Sequence, residues 1–321
     1  MKKHKLSQIV TILLTCALGH LPWCAQAQSD YPQKPITLLC WSEAGSPVDV
    51  YARTMARLLT RELGQNVIVE NRTGADGIIM IHAMRRAPAD GYTLAANTLT
   101  LATLFGQPQA NFKPDDLHML ARSQVDPYGL LVPSSIPFKR IEELLSYMRA
   151  HPGKVTVGGP FQMSAHRVAW EVFAEAAKVN ANWIPYKGGG PVLTAVAGGH
   201  VDVAATNPGN AKHLIASGKL RVLAVSSEQR LEDFPDVPTY KERGWNVVRY
   251  QWRGLMARPG MPQPVVDKLV AAIQKSQQAP EWKAYLRQVT QLDGFQGPAA
   301  FKAQLMQDIR EIETIKKKLG L

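Results

Sequence analysis

Two rhythms of apolar and polar residues alternate along this chain. Short apolar runs at Ile36–Cys40, 67–69 and 92–96 read as strands. Between them, apolar residues return every three or four positions. Val48, Ala52, Met55, Ala56 and Leu59 mark Pro47–Leu63 as an amphipathic helix. Ser46 is its N-cap, Pro47 its first residue, and Gly64 lies just past its end. A short helix is expected over 77–86. The resulting βαβαβ order predicts a parallel sheet flanked by helices.

The same alternation resumes near residue 129. Strands are expected at 128–132, 155–157, 183–186, 201–205 and Leu220–Val225, with helices at Ile141–Ala150, Ala165–Ala177, 191–197 and 210–217. From about Gly254 the chain reads as mostly helical: 264–276, Pro280–Val289 and 298–318. Such a tail cannot build a sheet of its own, so it is expected to pack on the first domain. The expected fold is α/β, a two-domain clamshell with a mostly parallel sheet in each domain. Its boundaries are 1–27 for an export signal, 28–127 plus 254–321 for domain 1, and 128–253 for domain 2. The chain would cross near Asp126–Leu130 and again near Tyr250–Met256. Two crossings make a hinge with a cleft for a ligand between the domains.

Composition refines this picture. Lys2, Lys3 and Lys5 precede an apolar core at 9–18, and Ala25-Gln26-Ala27 is a small-x-small cleavage site, so the exported chain is expected to start at Gln28 in the periplasm. The apolar core is too short for a stable membrane anchor. Pro22 and Trp23 before Cys24 argue against a lipidation site. Two of the three cysteines, Cys16 and Cys24, leave with the signal; Cys40 alone remains, as a buried strand residue or a reactive thiol. The formal charge of +11 falls by three lysines to 11 − 3 = +8. The positive residues are scattered and show no basic stripe with interleaved aromatics, which excludes nucleic acid as the natural partner. A run at Lys316-Lys317-Lys318 suits the C-terminal end of a helix.

Candidate chemistry gathers where strands give way to helices. Glycine-rich turns precede helix starts at 43–49, 158–166 and 187–192. A helix N-terminus presents unpaired N–H groups and partial positive charge, so such turns suit a small anion. Gly45, Ser46 and Asp49 open the first helix, where N–H groups near Ser46 bind an anion or merely cap the helix. Asp49 alternatively fixes the loop by accepting its N–H groups. Phe161, Gln162, Met163 and Ser164 form the second loop, with Ser164 the N-cap of Ala165–Ala177; His166 either donates to the ligand or braces the loop. Trp41, Tyr250 and Trp252 offer aromatic faces to a ligand or pack at the hinge. Arg253 and Lys187 suit a second carboxylate or remain solvated. Thr206 and Asn207, and less so Asn97 and Thr98, sit at strand ends where α/β sheets bind ligands.

An enzyme is not expected. Ser164, His166 and Asp49 do not form a nucleophile elbow, and Ser164 and His166 point apart at a helix start. No metal-ligand spacing, phosphate loop or dinucleotide fingerprint is present, so no cofactor and no metal are expected.

An ordered set of short motifs then identifies a family resemblance. It comprises Tyr31-Pro32-x-Lys34-Pro35-Ile36, Asp49-x-x-Ala52-Arg53, Leu63-Gly64-Gln65-x-Val67-x-Val69-Glu70-Asn71-Arg72, Asp90-Gly91-Tyr92-Thr93-Leu94, Pro152-Gly153-Lys154, the His166 helix start, Pro185-Tyr186-Lys187-Gly188 and Gly198-Gly199-x-Val201-Asp202. Together, over nearly the whole exported chain, these resemble the Bug-type solute-binding receptors of tripartite tricarboxylate transporters. The resemblance implies a clamshell that closes on one small molecule, usually a carboxylate, held by the first and middle loops largely through N–H groups and water. It implies a monomer whose partners are that organic acid and the membrane subunits of a tripartite tricarboxylate-type transporter. The alternative partner is a two-component sensor kinase; a purely structural envelope protein is a third reading. The chain departs from the family in its loops. Trp41 stands in a loop that usually has a proline and two glycines, Phe161 and Met163 in one that is usually small, and Thr73 and Asp76 in place of a proline and a glycine. The larger rings favour a bulky or aromatic acid, and a dicarboxylate remains open.

Overall fold

Ile36–Cys40 (β1) is the strand from which the first sheet grows. The computed structural model describes residues 31–320, so the expected signal at 1–27, with Cys16, Cys24 and the start at Gln28, lies outside the described residues. Ser46 caps Pro47–Leu63 (α1), its hydroxyl accepting the Asp49 N–H at 3.2 Å, and Gly64 ends it in the left-handed conformation. Val67–Asn71 (β2) follows, then Ile78–Arg86 (α2), Thr93–Thr98 (β3), Thr100–Leu104 (α3) and His118–Pro127 (β4).

The chain then passes into a second sheet. Gly129–Pro133 (β5), Ile141–Ala150 (α4), Thr156–Pro160 (β6), Ala165–Ala177 (α5), Asn182–Tyr186 (β7), Gly189–Ala197 (α6), Val203–Thr206 (β8), Lys212–Ala216 (α7) and Leu220–Val225 (β9) build it. It returns with Tyr250–Ala257 (β10), Gln263–Ser276 (α8), Pro280–Val289 (α9), Leu292–Gln296 (β11) and Pro298–Leu319 (α10). The first lobe carries six strands in the order β11-β4-β10-β3-β1-β2, the second five in the order β7-β6-β8-β5-β9.

Both sheets are mixed. In the first, β1 runs parallel to β2 and β3, whereas β10 is antiparallel to β3 and β4, and β11 to β4. In the second, β6 is parallel to β7 and β8, and β5 antiparallel to β8 and β9. A mostly parallel sheet was expected because consecutive βα units give that pairing. The antiparallel pairings come from the returning strands β10 and β11 in the first sheet and, in the second, from β5, which enters it directly from β4. The tail therefore adds two strands, β10 and β11, to the first sheet instead of being nearly all helix. The β4 strand was hidden by its own polarity: Ser123, Gln124 and Asp126 are buried, and their partners come from distant segments.

The first crossing falls between Pro127 and Gly129. On the return, Arg249 is still tied to the second lobe, its N–H donating to Ser226 O at 2.9 Å, whereas β10 lies wholly in the first sheet. The last helix, α10, packs on β4 and α3 and also meets α5 of the second lobe.

One apolar cluster reflects this. Leu99, Trp252, Phe301 and Ile312 from the first lobe pack with Ala165, Val168 and Ala169 of α5. Trp252 lies edge-on to Phe301, with centroids 4.9 Å apart. Two further clusters fill the second lobe on the opposite faces of its sheet. No helix among the described residues is long and apolar enough to cross a membrane.

Candidate functional site

The loop after β1 is braced from within. Asp49, 2% exposed, accepts the Gly45 N–H at 2.8 Å and Arg53 Nε at 2.9 Å on one oxygen, and Asn71 Nδ2 at 2.8 Å on the other. Asn71 also donates to Ser42 O at 2.8 Å. Burial pushes the Asp49 carboxyl up, but the bonds from Arg53, Gly45 and Asn71 outweigh it and hold the group below its ordinary range. Asp49 thus fixes the loop and is already neutralised. Gly45 sits at φ +80°, a conformation that favours glycine. Its N–H is taken by Asp49 and that of Ser46 by Glu43 O at 3.1 Å, so the donor left over at this helix start is the N–H of Val48. Cys40 is fully buried, and burial raises its thiol.

The loop after β6 takes a different form. Phe161 adopts φ +54°, on the order of 1 kcal/mol unfavourable for a residue with a Cβ. Two bonds hold it there: its N–H donates to Tyr186 O at 2.7 Å, and its carbonyl accepts Trp183 Nε1 at 3.0 Å. The Trp183 ring reaches this point because Gly159 has no side chain; a Cβ there would meet the ring at 2.0 Å. The Phe161 side chain is 55% exposed. With Gln162, Tyr186 and Lys187 it walls an open groove of about 450 Å³. Ser164 caps α5, accepting the Arg167 N–H at 3.2 Å while donating to Pro160 O at 2.6 Å. The N–H groups of Ala165 and His166 stay without protein partners among the described residues.

His166 and Asn207 meet. Asn207 Nδ2 donates to Pro127 O at 3.0 Å and Asp126 O at 3.3 Å, which turns its carbonyl toward His166 Nε2 at 2.7 Å. His166 Nε2 therefore carries the proton. Desolvation outweighs this bond and lowers the imidazole to about 4, so it is neutral at physiological pH. Its ring also stands edge-on to Tyr128 at 5.0 Å. His166 and Asn207 thereby brace the first crossing.

Two buried polar atoms in the expected site have no partner among the described residues: Trp41 Nε1 on the first lobe and Thr206 Oγ1 on the second. An unmade bond at a buried polar atom costs about 1–3 kcal/mol, so such atoms call for an explanation. Trp41 and Met163, one from each loop, border the same apolar cluster. The structure thus sets Trp41 and Met163 against one apolar cluster and brings His166 to Asn207, while Phe161 and Gln162 face the groove of the second lobe alone. Asn71, Trp183 and Asp126 were not singled out by sequence. Asn71 stood inside a recognisable motif; Trp183 and Asp126 carried no local signal.

Of the other aromatic and basic candidates, Trp252 packs in the core with its Nε1 donating to Asp308 at 2.8 Å, and Arg253 is buried and donates to Gln291 at 2.6 Å. Among the described residues no group of three His, Cys, Asp or Glu could hold a metal.

The chain was compared with known proteins. The family model described as Tripartite tricarboxylate transporter family receptor matches residues 51–321. A Cupriavidus necator relative, the UPF0065 protein in the gbd 5' region, is 33% identical over 322 residues, spanning 100% of this chain and 98% of its own length. The structure of a TctC solute binding protein from Polaromonas, solved with no ligand, superposes with a TM-score of 0.81 at 29% identity, covering 90% of this chain and 99% of that one. An R. palustris protein solved with adipate gives a TM-score of 0.74 at 26% identity, covering 90% and 98%.

Proposed function

The chain belongs to the tripartite tricarboxylate transporter receptor family and is a solute-binding receptor, not an enzyme; from that premise we propose that it captures a small carboxylate between its lobes. The observation that carries this reading is the pair of unpartnered buried donors, Trp41 Nε1 and Thr206 Oγ1, one on each lobe. Each would be satisfied by an oxygen of a ligand held between the lobes. The free N–H groups at the start of α5 add donors and the favourable end of a helix dipole. Donors split between lobes are all engaged only when the lobes close on the ligand, which gives the closed state its differential affinity. Adipate in the R. palustris neighbour supports a dicarboxylate; the Trp41 and Phe161 rings favour one of some bulk. The loaded receptor acts in the periplasm, as a monomer, and hands its ligand to the membrane subunits of a tripartite-type transporter.

Thermal unfolding against a carboxylate panel, on protein unfolded and refolded to remove any carried ligand, tests this. A hundredfold excess over Kd adds about 2.7 kcal/mol. A midpoint shift for one chemical group supports the reading; no shift across mono-, di-, tri- and aromatic carboxylates refutes it.

A further inference from the structure

A second cavity lies where the chain crosses between the lobes, reaching the second loop only at Ala165. It encloses about 260 Å³ between α10, β4 and β10 of the first lobe and α5 of the second. Tyr128, at the first crossing, and Arg249, at the second, both line it.

Two arginines and two carboxylates line it, but not all are paired. Asp308 is satisfied by Trp252 Nε1 at 2.8 Å and Gln304 Nε2 at 3.0 Å. Glu311 is satisfied by the Arg249 guanidinium and by Gln307 Nε2 at 3.1 Å. Arg122 is left over. Its Nε donates to Gly294 O at 2.7 Å, but its terminal nitrogens bond to nothing, and no carboxylate lies within 4 Å of it, among the described residues. Beside it, Gln296 Oε1 is buried without a donor. These two residues are register partners on β4 and β11. Side chains so paired stand on one face of the sheet, with Cβ atoms about 5 Å apart. A guanidinium with free terminal nitrogens, its charge facing Asp308 across the cavity without a direct bond, and an unfilled acceptor thus stand side by side at one cavity, opposite a wall of Leu99, Val168, Ala169 and Ile312.

The geometry points to a second binding site at this hinge, for a small amino or hydroxy acid whose carboxylate pairs with Arg122 and whose neighbouring N–H or O–H donates to Gln296. The spacing suits an acid with its donor on the adjacent carbon, and the apolar wall takes a short side chain. The volume holds a molecule of that size. Because residues of both lobes line the cavity, its occupant is coupled to the relation between the lobes, and hence to the main cleft.

The test uses the protein purified after export, with indole nitrogen NMR on Trp252 and L-alanine, L-serine, L-lactate and acetate as probes. The expected result is a saturable shift of the Trp252 resonance by at least one of the first three, stronger than by acetate, which lacks the donor. It persists in Thr206→Val and weakens at least about tenfold in Arg122→Gln, the loss of one charged hydrogen-bonding partner. Should Arg122→Gln fail to fold, Ala169→Leu fills the cavity without removing a hydrogen bond and is expected to abolish the shift. No response to any probe at millimolar concentration overturns the proposal. So does a response that survives Arg122→Gln and Ala169→Leu, or one lost in Thr206→Val, which would place the probe in the main cleft.

Discussion

His166 and Asn207 are joined by a 2.7 Å hydrogen bond between two strand-to-helix junctions of the second lobe, and Asn207 carries the connection on to the carbonyls of Asp126 and Pro127. A loop expected to touch the ligand is thereby fastened to the segment where the chain crosses between the lobes. Asn207→Ala strands the ring N–H and two carbonyls, and is expected to cost about 2–4 kcal/mol in denaturant unfolding. A loss below about 0.5 kcal/mol would show that water replaces the carboxamide without penalty.

The imidazole also sets a pH slope. His166 is held near 4 in the folded protein against about 6.5 unfolded. Between those values the unfolded chain binds the proton and the folded chain does not. Stability is therefore present above about 6.5 and is lost as pH falls toward 4. Urea midpoints measured across this window should fall in the wild type, and more shallowly in His166→Gln.

Asp126 works in the opposite sense. Burial raises its carboxyl to about 7, against the pull of Arg253 and of its hydrogen bonds. Below the unfolded value of 3.8 both states are protonated; above it the folded state holds the proton longer, so stability is lost as pH climbs toward about 7. Asp126→Asn keeps an acceptor for Gln291 and should be more stable than wild type at pH 8, by on the order of 1 kcal/mol. Equal stability at pH 8 would mean that Arg253 fully compensates the charge.

Thr206→Val removes a buried hydroxyl that has no partner. The expected outcome is unchanged or slightly higher thermal stability, with ligand affinity reduced about tenfold, the worth of one hydrogen bond to a charged group. Calorimetric titration showing full affinity would take Thr206 out of the site.

Asp49→Ala frees the Gly45 N–H, Arg53 and Asn71 together. It should cost about 2–3 kcal/mol and slacken the first loop. Amide exchange at residues 42–46 is expected to speed up while that of β9 stays unchanged.

Much of the molecule could be read from its residues in order. Ser46, Pro47 and Gly64 bound α1 through local chemistry, and Ile36–Cys40, Ile141–Ala150, Ala165–Ala177, Leu220–Val225 and Pro280–Val289 end where apolar periodicity and flanking caps place them. The strands that escaped, β4, β10 and β11, are stabilised by partners far along the chain. Ser123 bonds with Tyr51 at 2.6 Å, and Tyr285 donates to Gln124 at 3.1 Å, so polar residues occupy positions that a local pattern assigns to a loop. The candidate loops could be proposed from sequence because glycine-rich turns before helices are local. Which donors remain free was not, since that depends on Asp49 having already taken the Gly45 N–H and on Gly159 admitting the Trp183 ring.

The last helix belongs by packing to the first lobe, yet Lys318 pairs with Glu175 on α5 and Glu311 with Arg249 at the second crossing. The two lobes are thus joined by a pair of electrostatic latches as well as by two chain crossings. The exposed Lys318–Glu175 latch weakens as salt shortens the Debye length from about 30 Å at 0.01 M to about 8 Å at 0.15 M, whereas the partly buried Arg249–Glu311 latch is screened less. Ionic strength thus acts unequally on the two contacts by which the last helix ties the lobes together.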